Sequence, residues 1–196
     1  MTAAGPRTGC YPGSFNPLTR AHLALAEVAV ATCRLDRVDL VVSKVALAKE
    51  HVDRPSLDDR LSVLAEAVDA RRSWLGLVVS ERQLLVDLAE GYDVLVMGAD
   101  KWLQIRDPAF YGGSVIARDC ALTRLPEIAV AERPGWTADA AIDVTTLRLP
   151  PEVAGASSTR VRQGEPEWMA PEAAAFDRRS GAWTDPARYD EWRSLP

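Results

Sequence analysis

The chain has 196 residues, of which 47% are hydrophobic and 26% charged, with a formal net charge of −5. That length supplies one substantial core, since a domain of this size buries roughly 70% of the surface its unfolded chain exposes. The acidic balance argues against a broad basic face for nucleic acid, while leaving room for a local positive pocket that takes a small anion.

TGCYP reads as a short strand ending at Pro12, and residues 19–32 as a helix, because Leu23, Ala26, Val30 and Cys33 recur at spacings of three and four. RVDLVVS (37–43) has the β-branched run of a buried strand. Ser56 opens a second helix, with Asp59 three residues on as a shortened capping-box partner and Leu57, Leu61, Leu64 and Val68 on its apolar face. LGLVVS (75–80) predicts a third strand, QLLVDLAEG (83–91) a helix closed by Gly91, and DVLVM (93–97) a fourth strand. EIAVAER (127–133) and IDVTTLRL (142–149) supply further strands. Strands alternating with helices argue for an α/β protein whose parallel sheet is covered on both faces. From Gly164 onward Pro166, Pro171 and Pro186 separate short helical pieces, so 1–164 reads as the domain and 165–196 as a helical tail.

Two strand-to-helix junctions carry candidate chemistry. In YPGSFNPLTRAH the loop 13–17 leads into a helix whose first turn holds Thr19 and His22. Backbone N–H groups and the positive end of the helix dipole there stabilise an anion. Gly13 would let the backbone approach a phosphate. Thr19 and His22, three apart, share a helix face and could donate to one phosphate group. A plain Pro/Gly turn before a structural histidine is the alternative. In GASSTRVR (155–162), Ser157, Ser158, Thr159 and Arg160 stand at another predicted helix start. Hydroxyls and a guanidinium suit phosphate oxygens, and an ordinary N-cap is the alternative.

The pair GSFNPLTRAH and SSTRVR resembles the nucleotidylyltransferase superfamily, which carries an H/T-x-x-H motif and an S-S-T-x-x-R motif. Its adenylyltransferases include nicotinamide or nicotinate mononucleotide adenylyltransferases and phosphopantetheine adenylyltransferase, and the resemblance covers about Thr8 to Arg162. It implies a Rossmann-like fold and transfer of AMP from ATP to a phosphorylated small molecule, with pyrophosphate leaving. It implies catalytic roles for His22, Arg160 and Thr19, and nucleotide contacts from Gly13, Ser14, Phe15, Ser157, Ser158 and Thr159. VLVMGADKW (94–102) is similar to the family segment that meets the adenosine ribose, which adds Gly98 and Asp100; a turn with a solvated aspartate is the other reading. Asn16, Lys49 and Trp102 are the acceptor-side candidates, Trp102 either stacking on a flat acceptor or packing under the following loop. Arg60 sits where relatives have a basic residue. Mg²⁺ is implied with ATP, bridging its phosphates without a protein carboxylate cage.

The match departs from its relatives in three places. Thr19 replaces the first histidine and Ala21 the glycine of H-x-G-H. Between Ser80 and Asp93 the chain has ERQLLVDLAEGYD where the bacterial nicotinate enzymes carry S-Y-T-x-x-T-L. That spacing is similar to phosphopantetheine adenylyltransferase, yet GADKWLQIRDP replaces the R-G-L-R segment of that enzyme. A pyridine mononucleotide is therefore the first acceptor and phosphopantetheine the second, with a nucleotide-binding module lacking transfer as the alternative outside enzymes. Cys10, Cys33 and Cys120 form no CxxC pair, MTAAGPRTG lacks the pattern of a signal peptide, and no apolar run approaches the ~20 residues of a bilayer span. A cytoplasmic protein without nucleic-acid or membrane partners is expected. Relatives are often oligomeric, which leaves a homo-oligomer open.

Overall fold

The computed structural model describes residues 5–44, 54–132 and 144–195. Among them six strands form one parallel sheet: β1 Thr8–Pro12, β2 Arg37–Ser43, β3 Leu75–Ser80, β4 Val94–Gly98, β5 Glu127–Ala131 and β6 Thr145–Leu147. Their order is β3-β2-β1-β4-β5-β6. The sheet thus grows outward in both directions from the β1–β4 pair. The carboxyl ends of those two strands form a topological switch point, where open parallel sheets bind ligands.

Alternate strand residues point to opposite faces. Val38, Leu40 and Val42 join a core cluster with α1 (Arg20–Cys33), α2 (Leu57–Asp69) and C-terminal helices α8 (Pro171–Ser180) and α9 (Pro186–Ser194). Cys10, Val41, Leu95 and Met97 face the other way, toward α3 (Leu85–Leu88) and α4 (Ala99–Arg106). Leu40 and Leu95 are fully buried, each contributing roughly 1.5–3 kcal/mol. The doubly covered sheet expected from the alternating pattern is present.

Boundaries differ where local signals are weak. The helix expected over 83–91 shrinks to α3, whose start at Leu84 has no side-chain cap. No helix is expected after Gly98, yet α4 and then α5 (Val115–Leu122) form there, joined through a 3₁₀ turn at Pro108–Tyr111. Helix α5 buries none of its residues and is only 8 residues long, shorter than the window in which a helical period shows. Two further short helices, α6 (Pro151–Ala154) and α7 (Ser158–Arg162), follow β6.

The N-terminus of α2 shows how the C-terminal segment is tied in. Ser56 caps it and accepts from the Asp59 N–H, as expected. The Asp59 carboxylate does not return to the Ser56 backbone. It accepts from the Ser56 hydroxyl at 2.6 Å and from the Tyr189 hydroxyl, and the Ser56 N–H donates to Tyr189 Oη at 2.8 Å. A short aspartate leaves a gap that a tyrosine 130 residues on fills.

Candidate active site

Thr19 is the N-cap of α1 and His22 its N3 residue, and together they form a reciprocal capping box. The Thr19 backbone N–H donates to His22 Nδ1 at 3.0 Å, and Thr19 Oγ1 accepts from the His22 N–H at 3.4 Å. A backbone N–H can only donate, so Nδ1 is the acceptor and the ring proton of this tautomer sits on Nε2. Thr19 is 0% exposed and its hydroxyl lies 3.0 Å from Nδ1. The expectation that Thr19 itself donates to a phosphate is corrected: N-cap geometry turns it inward, where it sets the orientation and tautomer of His22.

Phe15 completes that setting. Its φ of 45° is unusual for a non-glycine residue. The buried ring stands edge-on to Tyr11 at 5.4 Å and to His22 at 5.2 Å. It occupies the space of any side chain at position 13, since a Cβ on Gly13 would meet Phe15 Cζ at 2.9 Å. The glycine is required by this ring. Contact between Phe15 and a nucleotide would fall to its backbone.

The structure joins the two motifs directly. The Ser158 hydroxyl donates to the Pro17 carbonyl at 2.8 Å, and Arg162 Nη1 donates to the Asn16 carbonyl. Arg60, from α2, donates to the Ser14 carbonyl at 3.0 Å. Ser157 is the N-cap of α7, accepting from the Arg160 N–H, and Thr159 is exposed on its first turn.

Arg160 points elsewhere. It makes a two-pronged ion pair with Glu165, donates to the Gly155 carbonyl at 2.9 Å and lies 5.3 Å over the Trp168 ring. The Arg160 guanidinium, and after it the Trp168 indole, hold the Glu165 carboxyl below its ordinary range. The expectation that Arg160 faces the first loop is therefore corrected: Arg160 is held by Glu165, Gly155 and Trp168, and the arginine that reaches the loop is Arg162. The signal was present: in S-S-T-x-x-R the arginine stands three residues after the threonine, and from Thr159 that position is Arg162.

Gly98 ends β4 beside β1 and caps α4, and Asp100 is exposed in the first turn of that helix, so both stand at the same sheet edge as Gly13. Trp102 does not. It is 2% exposed, packed with Met97, Ile105 and Val130 under a cation–π contact from Arg106 at 5.5 Å. Stacking on an acceptor is excluded because the ring is inside the core. Asn16 is also buried, its Oδ1 accepting from Trp183 Nε1 at 2.6 Å. Lys49 lies outside the described residues. Among the described residues no group of three or more His, Cys, Asp or Glu is arranged to hold a metal, and no helix is long and apolar enough to cross a membrane.

At the switch point, then, a helix N-terminus, an imidazole with its proton on Nε2 and guanidiniums from two other helices converge on one loop. This donor set suits the oxygens of phosphate groups. The family model described as cytidylyltransferase-like matches residues 10–164. A probable nicotinate-nucleotide adenylyltransferase of Methylorubrum extorquens is 31% identical over 173 residues, covering 79% of this chain and 87% of that protein. A phosphopantetheine adenylyltransferase of Paracoccus denitrificans is 33% identical over 97 residues, 47% of this chain and 56% of that protein. The Plasmodium falciparum nicotinic acid mononucleotide adenylyltransferase complexed with NaAD shares the fold at a TM-score of 0.68 and 14% identity, covering 92% of this chain and 99% of that one. The resemblance carried by two short motifs thus extends through most of the chain, which belongs to the cytidylyltransferase-like family of nucleotidyltransferases.

Proposed function

We infer that this protein transfers the adenylyl group of ATP to a pyridine mononucleotide, nicotinate or nicotinamide mononucleotide, in NAD biosynthesis. The observation that carries the reading is the junction of the two motifs, with Ser158 and Arg162 on the carbonyls of the loop that delivers His22. The relative named as a nicotinate-nucleotide enzyme along 87% of its length supports the acceptor.

In the reaction a phosphate oxygen of the mononucleotide attacks the α-phosphorus of ATP. The new P–O bond forms as the bond to the β-phosphate oxygen breaks, and the electron pair leaves with pyrophosphate. A phosphate monoester is mostly dianionic at neutral pH, so no general base is needed. The site must hold two anions in line and neutralise the charge that develops between them. His22 donates from Nε2, Arg162 supplies a permanent charge, and the N-terminus of α1 with Ser14 cradles the phosphates, while Gly13 gives its N–H to the Val41 carbonyl at 3.1 Å and leaves the backbone open to them. Ser157 and Thr159 line the second junction, Gly98 and Asp100 are assigned to the adenosine, and Lys49 is assigned to the acceptor from the sequence alone. Mg²⁺ enters as part of the MgATP substrate, held by phosphate oxygens and water. The three cysteines, free in the fold, suit a cytoplasmic enzyme.

Pyrophosphate release from MgATP tests this, with nicotinate mononucleotide, nicotinamide mononucleotide and phosphopantetheine offered separately. Turnover with a pyridine mononucleotide that drops on the order of 10²–10³-fold in His22→Ala supports the reading. Turnover with phosphopantetheine alone would favour the second acceptor, which the Paracoccus relative and the spacing between β3 and β4 support. ATP binding without turnover on any acceptor would leave a nucleotide-binding module.

A further inference from the structure

We propose that Trp183, which lies beyond the matched residues 10–164, is a positioning residue for the phosphate-binding loop and acts through Asn16. The inference rests on the adenylyl-transfer reading above.

After α7 the chain returns to the loop. The Ala170 N–H donates to the Leu18 carbonyl at 3.0 Å, and Met169 pairs with Thr19 in an isolated antiparallel bridge. Beyond α8 the turn that carries Trp183 is built with unusual care. Gly181 takes φ 76°, and a Cβ there would meet the Asp185 carbonyl at 2.8 Å. Asp177 is buried beneath the turn and accepts from the Trp183 N–H at 2.7 Å, the Thr184 N–H at 3.1 Å and the Thr184 hydroxyl at 2.6 Å. A buried carboxylate is tolerated only when its oxygens are satisfied, so these three donors fix the turn in one geometry. The Trp183 ring then stands edge-on to Phe176 at 5.9 Å and is itself 7% exposed.

From that mounting the indole directs its one polar atom at the loop. Nε1 donates to Asn16 Oδ1 at 2.6 Å, where Asn16 is 4% exposed. Docking a C-terminal segment for packing alone needs no indole N–H; a phenylalanine would fill the same place. An N–H aimed at an amide oxygen does something else: it decides which way round the amide stands, with its NH₂ turned away from the indole. The Asn16 carbonyl is meanwhile held by Arg162, and the Pro17 carbonyl by Ser158. Trp183 adds the side-chain anchor at Asn16, inside the first motif.

Trp183→Phe keeps the ring against Phe176 and removes the donor. Turnover is expected to fall on the order of tenfold, short of the hundredfold that a 1 Å misplacement costs, with KM for MgATP changed by less than about twofold. Backbone amides of residues 13–19 should exchange faster, while those of β1 and β2 stay protected. In an Asn16→Ala background the same substitution should change turnover no further, a coupling that an indole serving only to pack would not show. Wild-type turnover together with unchanged loop exchange would overturn the proposal, as would an equal loss in both backgrounds. A wild-type chain that releases no pyrophosphate with either mononucleotide refutes the reaction, and loop exchange then decides the positioning role alone. If Trp183→Phe does not fold, Asn16→Leu removes the acceptor from the other side of the bond and is read by the same loop exchange.

Discussion

Replacing Arg162 with alanine separates the two arginines that follow the Ser-Ser-Thr triplet. Arg162 spends Nη1 on the Asn16 carbonyl, and a guanidinium carries five N–H donors, so its fork can hold the loop and a phosphate oxygen together. Loss of such a donor at the transition state costs about 10²–10³ in kcat, or roughly 2.7–4 kcal/mol. The cost to stability is small, no more than about 1 kcal/mol, because the side chain is largely in water. Arg162→Lys keeps the charge and loses the planar fork, and should fall between the two, about tenfold below wild type. Arg160→Ala breaks the pair with Glu165 and the contact with Trp168, and should leave kcat within about threefold of wild type. The assay is steady-state pyrophosphate release from MgATP with nicotinate mononucleotide, run beside thermal unfolding of each variant. An Arg160→Ala loss equal to that of Arg162→Ala, or an Arg162→Ala enzyme within threefold of wild type, would refute the assignment.

Other residues give independent checks. Trp102→Phe should lower the urea midpoint by the equivalent of about 1–2 kcal/mol, less than the 3–5 of truncation to alanine, and leave the acceptor KM within about twofold; a KM raised tenfold would restore stacking. Burial, then the charge of Asp39, pushes the Cys10 thiol up to about 12, while Cys120 is exposed. A thiol reagent at pH 8 should therefore label Cys120 in the native protein and Cys10 only in denaturant. Because the folded value is the higher one, the stability it contributes is intact below the ordinary thiol range near 8.5 and is lost as pH climbs toward about 12; Cys10→Ala should flatten that alkaline decline. Tyr189→Phe strips the hydroxyl shared by the Ser56 N–H and Asp59, and should cost about 1–3 kcal/mol in chemical denaturation.

The sheet was legible because its signal is local. Val94 to Met97 is a continuous apolar run and Val38 to Val42 is one broken only by the buried Asp39, close to what strands covered on both faces require, and both appear where expected. Helix α1 was legible from its spacing, and Thr19 and His22 from their offset of three. What Thr19 does was not, since an N-cap hydroxyl facing inward and one facing a ligand have the same sequence. Helices α4 and α5 escaped because burial in α4 rests on Ala99, Trp102 and Ile105 alone and α5 buries no residue. Trp102 illustrates the general difficulty: an aromatic next to a motif reads as a ligand platform, and only the packing of α4 on the sheet shows it to be core.

The same limit explains why the C-terminal segment read as a tail. Its value lies in bonds that span most of the chain, from Trp183 to Asn16, Tyr189 to Ser56 and Ala170 to Leu18. Taken with Arg60, Ser158 and Arg162, these bring donors from α2, α7 and the C-terminal segment onto the carbonyls and the one amide side chain of residues 14–18. In a trans peptide the C=O and the following N–H point in opposite directions. Holding the Ser14 and Pro17 carbonyls from outside therefore turns the N–H groups of Phe15 and Leu18 away from those donors. A loop that is to meet phosphates through backbone N–H groups needs its carbonyls tied back, and no stretch of five residues can do that for itself. The helices that follow residue 164 are part of how the loop is held.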